Sequence, residues 1–573
     1  MPRGGHSGTR SHMRPTARAT PVASTTTLIN DEGASTTTYE TSGLPGFRDS
    51  RSWLNNWYPV TFSAAVPDDK PTGFAIFERP LVLFKDADGA VRCLEDTCPH
   101  RLAPLSDGRL TRDSTGRTVV ECSYHGWQFE GRCGSCALLP QLDEAALAER
   151  KYENWGARYG ARTHAVAERQ GIVFVWLRAG AAPSSEPPVV PNFEEAGWIY
   201  EQDYARDLPY DYTTLVENVI DPSHVPVSHH GTSQGDRALA RPLPLTVKDR
   251  GSGGSVAAAL SLAGEVTVPL HGSSRLGFAR TTATQTVRFE APSRLSYEFE
   301  LPGGKRAIAL FYAVPVARGK SRVLVRRGRD FNTEAKMTRA ALVAKHLENN
   351  VVFDQDLAFL RGQEERLQAY KADGHGGAWR DEYVVPSSAD RFVVNYRKKL
   401  DGLAATMPWR TAPAPLAPLP RRELLDRYEQ HTKGCAVCSS ALAETRALAK
   451  AARGARNVAA FALLCRAAAA GPAAPFSLAV SAAAVAFGAA LLRSDVVGPT
   501  VAAAPNALAA PPLVFAALHL AAAAAGLPRV AGALATASAA ALAATAALAA
   551  RKFAALEARF IYTEEAKALQ HAP

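Results

Sequence analysis

Short β-prone runs fill the first folded part of the chain. From Trp53 to about Gly180, runs such as FAIFERPLVLFKD and GIVFVWLRA alternate with Gly, Pro and Asp turns, and no long helical period appears. Hydrophobic runs of this length, bounded by turn residues, are typical of strands. The pattern therefore predicts a small antiparallel β domain over residues 50–180.

A different pattern follows a Pro-rich crossing segment at residues 180–193. Residues 194–400 mix helical stretches, near 211–230 and 334–372, with β-rich runs such as TTATQTVRFE and RAIALFYAVPVA. This mixture predicts a second domain of the α+β class. Another Pro-rich stretch closes that domain and lies in a linker over residues 401–440.

Alanine, leucine and valine dominate the chain after residue 440. Uncharged windows extend between Arg466 and Arg493 and from Val530 to Ala550, and a helix needs about 20 apolar residues to cross a bilayer. Basic residues flank both outer ends, and the positive-inside preference then favours an even number of crossings. We predict a transmembrane helical hairpin within residues 474–550. The alternatives are three spans and alanine-rich soluble helices.

Composition and charge narrow the function classes. With 573 residues and 47% hydrophobic content, the chain can bury a large core and hold two or more domains. The net charge is +10, but the basic residues are scattered, which argues against nucleic-acid binding. Residues 1–45 are rich in Arg, Ser and Thr and poor in acids, which is typical of an organelle transit peptide, with a disordered tail as the alternative.

Two short motifs each pair a cysteine with a histidine. TCPHR supplies Cys98 and His100, and ECSYHGW supplies Cys122 and His125. Zinc and iron–sulfur centres both accept two thiolates and two imidazoles. In a Rieske centre the thiolates hold one iron and the imidazoles hold the other. With one cysteine and one histidine on each of two loops, each loop can give one ligand to each iron. The sequence therefore favours an iron–sulfur cluster over a structural zinc site.

A second group of metal-binding residues lies in the predicted α+β domain. The run ENVIDPSHVPVSHH places His224 and His229 five residues apart, and its two prolines disrupt a helix that would otherwise point them in different directions. Two histidines and one carboxylate form the facial triad that binds iron(II) and leaves positions open for oxygen. The carboxylate can come from residues 348–365, where Asp354 and Asp356 are the candidates.

The two motif sets together resemble the Rieske-type non-haem iron oxygenases. CPHR followed by CSYHGW is similar to the cluster-binding motif of that family, and NVIDPSHVPVSH is similar to its mononuclear-iron motif. The resemblance implies a [2Fe–2S] cluster in a Rieske domain over residues 50–180 and a mononuclear Fe²⁺ in a catalytic α+β domain over residues 194–400. The family's third iron ligand is an Asp before an apolar helical run, which Asp356 before LAFL matches better than Asp354. The resemblance also implies a homotrimer in which Asp221 joins a cluster histidine of one subunit to an iron histidine of the next.

Three features narrow the resemblance to a chloroplast branch that contains pheophorbide a oxygenase, protochlorophyllide-type oxygenases and the Rieske protein of the inner-envelope translocon. These features are the run GRCGSCALLPQ after the Rieske loop, the run KGCAVC with Cys435 and Cys438, and the hydrophobic hairpin at the end, and the transit-like start agrees with them. A CxxC without other metal-binding partners is typical of a dithiol that can close to a disulfide. By resemblance, Cys435 and Cys438 form a redox dithiol that thioredoxin targets, with an inert pair of thiols as the alternative.

The resemblance implies a membrane-anchored monooxygenase of the chloroplast inner envelope or thylakoid. Reduced ferredoxin supplies electrons to the cluster, and the iron activates O₂ to attack a hydrophobic, chlorophyll-derived tetrapyrrole. The alternative is a redox-sensing subunit of the inner-envelope import machinery, in which the cluster and the CxxC report redox state without turnover. The intact two-histidine motif favours the oxygenase, because a sensor has no use for a mononuclear iron.

Overall fold

The computed structural model describes most of the chain from residue 51 to residue 570. The residues outside the description are 1–50, 150–153, 250–258, 271–280, 334–336, 373–378, 469–485, 487–516, 519–527 and 571–573. The predicted transit peptide and nearly all of the first arm of the predicted hairpin, residues 474–492, lie outside the described residues. The described part has the predicted α+β fold class, with a β-rich N-terminal part followed by a large antiparallel sheet and its helices.

The N-terminal part consists of small antiparallel sheets. Their strand orders are β1–β11–β10, β2–β3–β4–β9 and β5–β6–β7–β8. The strands are β1 (Trp57–Phe62), β2 (Thr72–Ile76), β3 (Arg79–Lys85), β4 (Val91–Glu95), β5 (Arg109–Arg112), β6 (Thr118–Glu121), β7 (Gln128–Glu130), β8 (Cys136–Leu138), β9 (Thr163–His164), β10 (Val166–Arg169) and β11 (Ile172–Trp176). The central strand β11 is buried along its whole length, as expected for a continuous apolar run between two neighbours.

A seven-stranded antiparallel sheet forms the body of the second part. Its order is β12–β18–β17–β16–β15–β14–β13. The strands are β12 (Ile199–Leu208), β13 (Thr246–Asp249), β14 (Leu262–Leu270), β15 (Thr281–Glu290), β16 (Arg294–Leu301), β17 (Lys305–Ala317) and β18 (Lys320–Arg329). Buried and half-buried residues alternate along β12, which is the pattern of a strand with one face on a core.

One hydrophobic core joins the two parts of the protein. Phe174 of β11 packs edge-on against Tyr312 of β17, with ring centroids 5.9 Å apart. The backbone also crosses the boundary, because the Phe77 amide donates to the Pro315 carbonyl at 2.6 Å. The loops that follow β4 and β6 pack instead on a separate, smaller core that includes Phe84, Leu105 and Phe129.

Helices cover the large sheet and continue beyond it. They are α1 (Arg51–Leu54), α2 (Glu144–Leu147), α3 (Trp155–Arg158), α4 (Tyr212–Ile220), α5 (Val225–Ser228), α6 (Arg339–Ala372), α7 (Trp379–Glu382), α8 (Arg391–Leu403), α9 (Arg421–Leu424), α10 (Arg427–Gln430), α11 (Ala436–Ala468), α12 (Pro528–Ile561) and α13 (Glu565–Gln570). Asp211 caps α4 by accepting from the Thr213 amide at 2.9 Å. The helical stretch predicted at 211–230 is therefore two short helices, because Asp221 and Pro222 interrupt it.

Two long helices, α11 and α12, pack against each other at the C-terminal end. Alanine side chains from both helices form their contact, together with Leu542 and Phe553, and Arg446 of α11 pairs with Glu557 of α12 at 2.8 Å. Among the described residues, one segment, Ala533–Ile561, is long and apolar enough by length and composition to cross a membrane. It contains the second arm of the predicted hairpin, residues 530–550, apart from its first residues.

A glycine in the β7–β8 turn is predicted to be essential for the N-terminal part. Gly134 has φ of +74°, and a Cβ there would lie 2.0 Å from the Ala161 carbonyl oxygen. We expect Gly134→Ala to lower the free energy of unfolding by more than the roughly 1–3 kcal/mol that such a φ costs alone, measured by thermal unfolding followed by tryptophan fluorescence. Gly116→Ala is the matched control, because Gly116 has φ of +83° with nothing within 4 Å of its Cβ position. Equal losses in both variants would contradict the steric argument.

Candidate functional site

Two loops of the same construction carry the cysteine and histidine pairs. Cys98 and His100 follow β4, and Cys122 and His125 lie between β6 and β7. In each loop the cysteine carbonyl accepts from the amide four residues later, and the cysteine amide donates to the carbonyl five residues later. The residue four positions after each cysteine has a positive φ, 62° at Leu102 and 73° at Gly126. The matching turns present one thiol and one imidazole each to a common point.

The four side chains are arranged as a Rieske cluster requires. The thiols of Cys98 and Cys122 are buried, whereas His100 and His125 are half-buried, with ring centroids 4.4 Å apart. Burial is the largest cause that raises the pKa of the Cys98 thiol to about 11, and the neighbouring thiol of Cys122 adds to it. Such a pair gains from a metal that stabilises the thiolate. The donors therefore fit a [2Fe–2S] cluster with the sulfur-bound iron inside and the imidazole-bound iron at the surface.

The surroundings of the cluster loops hold the imidazole rings in place. Trp127 stacks on the His100 ring at 4.5 Å with the planes almost parallel. Nδ1 of His100 is buried and has no hydrogen-bond partner among the described residues. A buried nitrogen without a partner is costly unless it binds something, which is a further reason to place a metal at this position.

The second metal group is assembled from the two ends of the short helix α5 and from the long helix α6. His224 directly precedes α5 and His229 directly follows it, so each ring lies at a helix end rather than on one regular helical face. Nε2 of His224 lies 3.8 Å and Nε2 of His229 lies 3.5 Å from Oδ2 of Asp356. The three ligand atoms lie within 4.8 Å of one another, and they fit the two-histidine, one-carboxylate triad of a mononuclear iron.

Hydrogen bonds orient the ligands of this triad. Nδ1 of His229 lies 3.3 Å from Oε1 of Gln355, which leaves Nε2 directed at Asp356. The Ser228 hydroxyl donates to Oδ1 of Asp356 and leaves Oδ2 available. Partners of this kind fix the direction of a ligand's lone pair and are needed for tight metal binding.

The electrostatic field of the triad favours a cation. Burial lowers the pKa of His224, but the carboxylates of Asp221 and Asp356 outweigh it and raise the pKa to about 9. Burial lowers the pKa of His229, which keeps that ring neutral. Without a metal, the site therefore attracts positive charge, first as a proton on His224.

Asp221 and Asp354 lie at different places around this triad. Oδ1 of Asp221 accepts from the amide and hydroxyl of Ser223 at 2.7 and 2.6 Å, and its Oδ2 lies 3.6 Å from Nδ1 of His224. Asp354 is two residues from Asp356, about 200° around the helix, and it pairs with Arg206 and Arg427 in a fully buried network. The structure thus brings Asp356, and not Asp354, to the two histidines.

The CxxC thiols lie beside two histidines that the sequence analysis did not select. Cys435 and Cys438 approach His346 of α6 and His431, which follows α10. His431 stands four residues before the CxxC in HTKGCAVC, which is a local signal that could have found it. His346 is 85 residues from His431 in the chain, and only the fold brings it there.

Two protein families match segments of the chain. The Rieske [2Fe-2S] domain matches residues 56–153, and Pheophorbide a oxygenase matches residues 289–373. The first segment contains the four cluster donors, and the second contains Asp356.

Curated relatives and solved structures are similar to this protein over 61% to 68% of the chain. Protein TIC 55, chloroplastic, from Arabidopsis thaliana is 34% identical, with 64% of this chain and 63% of that protein covered. Pheophorbide a oxygenase, chloroplastic, from Oryza sativa subsp. japonica is 33% identical, with 68% of this chain and 73% of that protein covered. The crystal structure of dicamba monooxygenase bound to dicamba is similar with a TM-score of 0.48 and 20% identity, over 61% of this chain and 97% of that one.

Proposed function

This chain belongs to the Rieske-type non-haem iron oxygenases of the branch that contains pheophorbide a oxygenase and Protein TIC 55, and we propose that it is a membrane-anchored monooxygenase acting on a chlorophyll-derived tetrapyrrole with electrons from ferredoxin. The observation that carries the proposal is the complete triad of His224, His229 and Asp356. A subunit that only senses redox state needs the cluster but has no use for this triad. The rice relative's name supports a tetrapyrrole as the substrate class.

Each group has a separate task in this reaction. When bound, the cluster carries single electrons and the iron offers open coordination positions to dioxygen. Cys98 and Cys122 hold the inner side of the cluster away from water, and His100 and His125 place its outer side at the surface. A bound cluster would therefore lie nearer to the surface on its imidazole side, where His100 and His125 are half-buried, and this side would be the nearer one for an electron-transfer partner.

The surface around the cluster histidines suits a docking partner. Leu102 is 73% exposed and Tyr124 is 60% exposed, although both are large and apolar, and Tyr124 packs against the His125 ring at 3.9 Å. Exposed apolar side chains next to a functional group are typical of an interaction site. We assign this surface to a neighbouring subunit of a homotrimer, in which a cluster histidine of one subunit reaches Asp221 of the next.

Membrane attachment agrees with a hydrophobic substrate. Helix α11 begins directly after Cys435, next to the catalytic part, and α12 ends near the same place. There the Thr432 hydroxyl donates to the Phe560 carbonyl at 2.6 Å. Both ends of the intervening segment therefore lie on the same side, as an even number of crossings requires. We propose a chloroplast membrane, in line with the chloroplast relatives, as the place where a lipid-soluble tetrapyrrole is reached.

Iron content and labelled dioxygen test the proposal together. The full-length chain, purified in detergent, is expected to hold about three irons, two in the cluster and one in the triad. With reduced ferredoxin, isotope-labelled dioxygen and a panel of chlorophyll derivatives, we expect one labelled oxygen atom in the product, detected by mass spectrometry. About two irons per chain without product would favour the redox sensor, and a chain without iron would contradict both functions.

A further inference from the structure

A third group of side chains that could hold a metal ion lies outside both iron sites. It consists of His346 in α6, His431 after α10, and Cys435 and Cys438 at the start of α11. The four residues come from three segments that the fold brings together. His346, His431 and Cys438 are buried and Cys435 is partly buried, so the set is a closed interior cluster and not a surface patch.

All four donor atoms lie within 4.8 Å of one another, and four of the six distances between them match the edges of a tetrahedral zinc site. Nδ1 of His346 lies 3.3 Å from Nε2 of His431. The measured sulfur–nitrogen distances are 3.3 Å from Cys438 to His431, and 3.5 and 3.6 Å from Cys435 and Cys438 to His346. Tetrahedral bonds of about 2.3 Å to sulfur and about 2.05 Å to nitrogen give edges of about 3.3 Å between nitrogens and about 3.6 Å between sulfur and nitrogen. The four distances agree with these edges.

The His431 ring makes a hydrogen bond through the nitrogen that points away from the other three donors. Nδ1 of His431 lies 2.6 Å from the Ala205 carbonyl oxygen, so Nδ1 carries the proton and Nε2 keeps its lone pair for a metal. A histidine that binds a metal through one ring nitrogen usually donates a hydrogen bond from the other, often to a backbone carbonyl. The Tyr204 ring stacks on His431 at 4.3 Å and fixes its plane.

We propose that His346, His431, Cys435 and Cys438 bind a structural zinc ion that fastens the iron-binding helix α6 to the C-terminal helices. His346 is ten residues, or about 15 Å along the helix, from Asp356. The CxxC belongs to α11, which pairs with α12 over most of its length. The zinc therefore connects the triad's helix to the segment that carries the proposed membrane anchor.

A redox dithiol, as implied for these cysteines by the family resemblance, makes different demands. Thiol–disulfide exchange with thioredoxin requires that a sulfur be accessible to the attacking thiolate. Cys438 is 0% exposed and its sulfur faces His431 and His346, whereas Cys435 is partly buried and lies 3.5 Å from His346. An imidazole beside a thiol can lower the thiol pKa in a redox dithiol as well, but a dithiol uses only two of these four side chains, whereas a tetrahedral metal site uses all four donors that lie within 4.8 Å of one another.

Metal analysis of the purified full-length chain tests the zinc site. We expect about one zinc per chain in addition to the irons, and the loss of this zinc in Cys438→Ser and in His431→Ala. Cys133→Ser is the matched control, because Cys133 is an exposed free thiol elsewhere, and it is expected to keep the zinc. Cys98→Ser is expected to lose cluster iron and to keep the zinc, which excludes zinc misplaced in the Rieske loops.

A measurement on the unaltered protein covers the case in which the variants do not fold. Cobalt(II) introduced in place of zinc is expected to show the visible d–d and sulfur-to-metal absorption of a tetrahedral site with two thiolates. Cys435 and Cys438 are expected to resist alkylation until a chelator removes the metal. A zinc-free chain with a Cys435–Cys438 disulfide in its peptide map, or with both thiols freely alkylated, would overturn the proposal whatever the oxygenase activity.

Discussion

Replacing His224 by alanine is expected to remove the mononuclear iron and to leave the Rieske cluster intact. His224 supplies one of three donors within 4.8 Å of each other, and its contacts belong to the triad and to Asp221 rather than to the cluster loops. Loss of a partner outside the ligand set costs 10- to 100-fold in metal affinity or activity, so loss of a ligand is expected to lower oxygenation by at least about 100-fold. Iron should fall from about three to about two per chain.

The control for this variant is a histidine of the same segment. His230 lies outside the triad, and its Nδ1 accepts from the Arg237 amide at 3.0 Å. His230→Ala is expected to keep the third iron and most of the product formation. Visible absorption of the reduced and oxidised cluster should be the same in both variants and in the unaltered protein. If His224→Ala also loses the cluster spectrum, the two iron sites are not independent.

The sequence predicts the cluster site well because its determinants are local. Each loop carries its own cysteine, histidine and positive-φ residue within a few positions, and Gly126 marks one of those turns directly. The equivalent residue of the other loop is Leu102, and the sequence does not predict its positive φ, because a leucine rarely adopts that conformation. The two loops then need only neighbouring strands to bring them together.

The choice between Asp354 and Asp356 shows where sequence reasoning ends. Both are acids on one helix two residues apart. Composition and periodicity place neither at the iron, and only the family resemblance, through the run LAFL after Asp356, favours Asp356 as the structure does. The rotation of α6 about its own axis decides which acid reaches the iron site. In the observed orientation, Asp356 faces the histidines and Asp354 faces Arg206 and Arg427. Contacts between β12 and α6 accompany that orientation, among them the stacked rings of Tyr204 and Phe353, 5.8 Å apart, and no local signal predicts such a contact.

The proposed zinc site depends on long-range contacts more than the cluster site does, because His346 is 85 residues from His431 in the chain. HTKGCAVC contains three of its four residues, but a fourth donor in another segment must complete it. His346 lies inside a long helix that contains no other histidine and no cysteine, so a sequence pattern alone favours a dithiol. The fold supplies the missing donor by packing α6 against α11, which changes the chemistry expected of the two thiols.

Asp354→Ala is expected to produce the largest loss of stability. Asp354 accepts from Arg206 at 2.6 Å and from Arg427 at 2.7 Å, and all three side chains are fully buried. Arg427 also holds Glu565 at 2.9 Å, so the network connects β12, α6, α10 and the segment after α12. Removing the carboxylate leaves two buried guanidinium groups with less compensation, and the free energy of unfolding is expected to fall by about 3–5 kcal/mol.

Equilibrium urea unfolding of the detergent-solubilised chain measures this effect against a surface pair. Asp68 pairs with Lys85 at 2.6 Å, but its side chain is 87% exposed, so Asp68→Ala is expected to cost less than about 1 kcal/mol. Because Asp354 does not face the histidines, Asp354→Ala chains that remain folded at low temperature should still bind the third iron, whereas His224→Ala chains should not. A stable Asp354→Ala chain without that iron would reverse the roles assigned to the two acids of α6 and place Asp354 in the metal site.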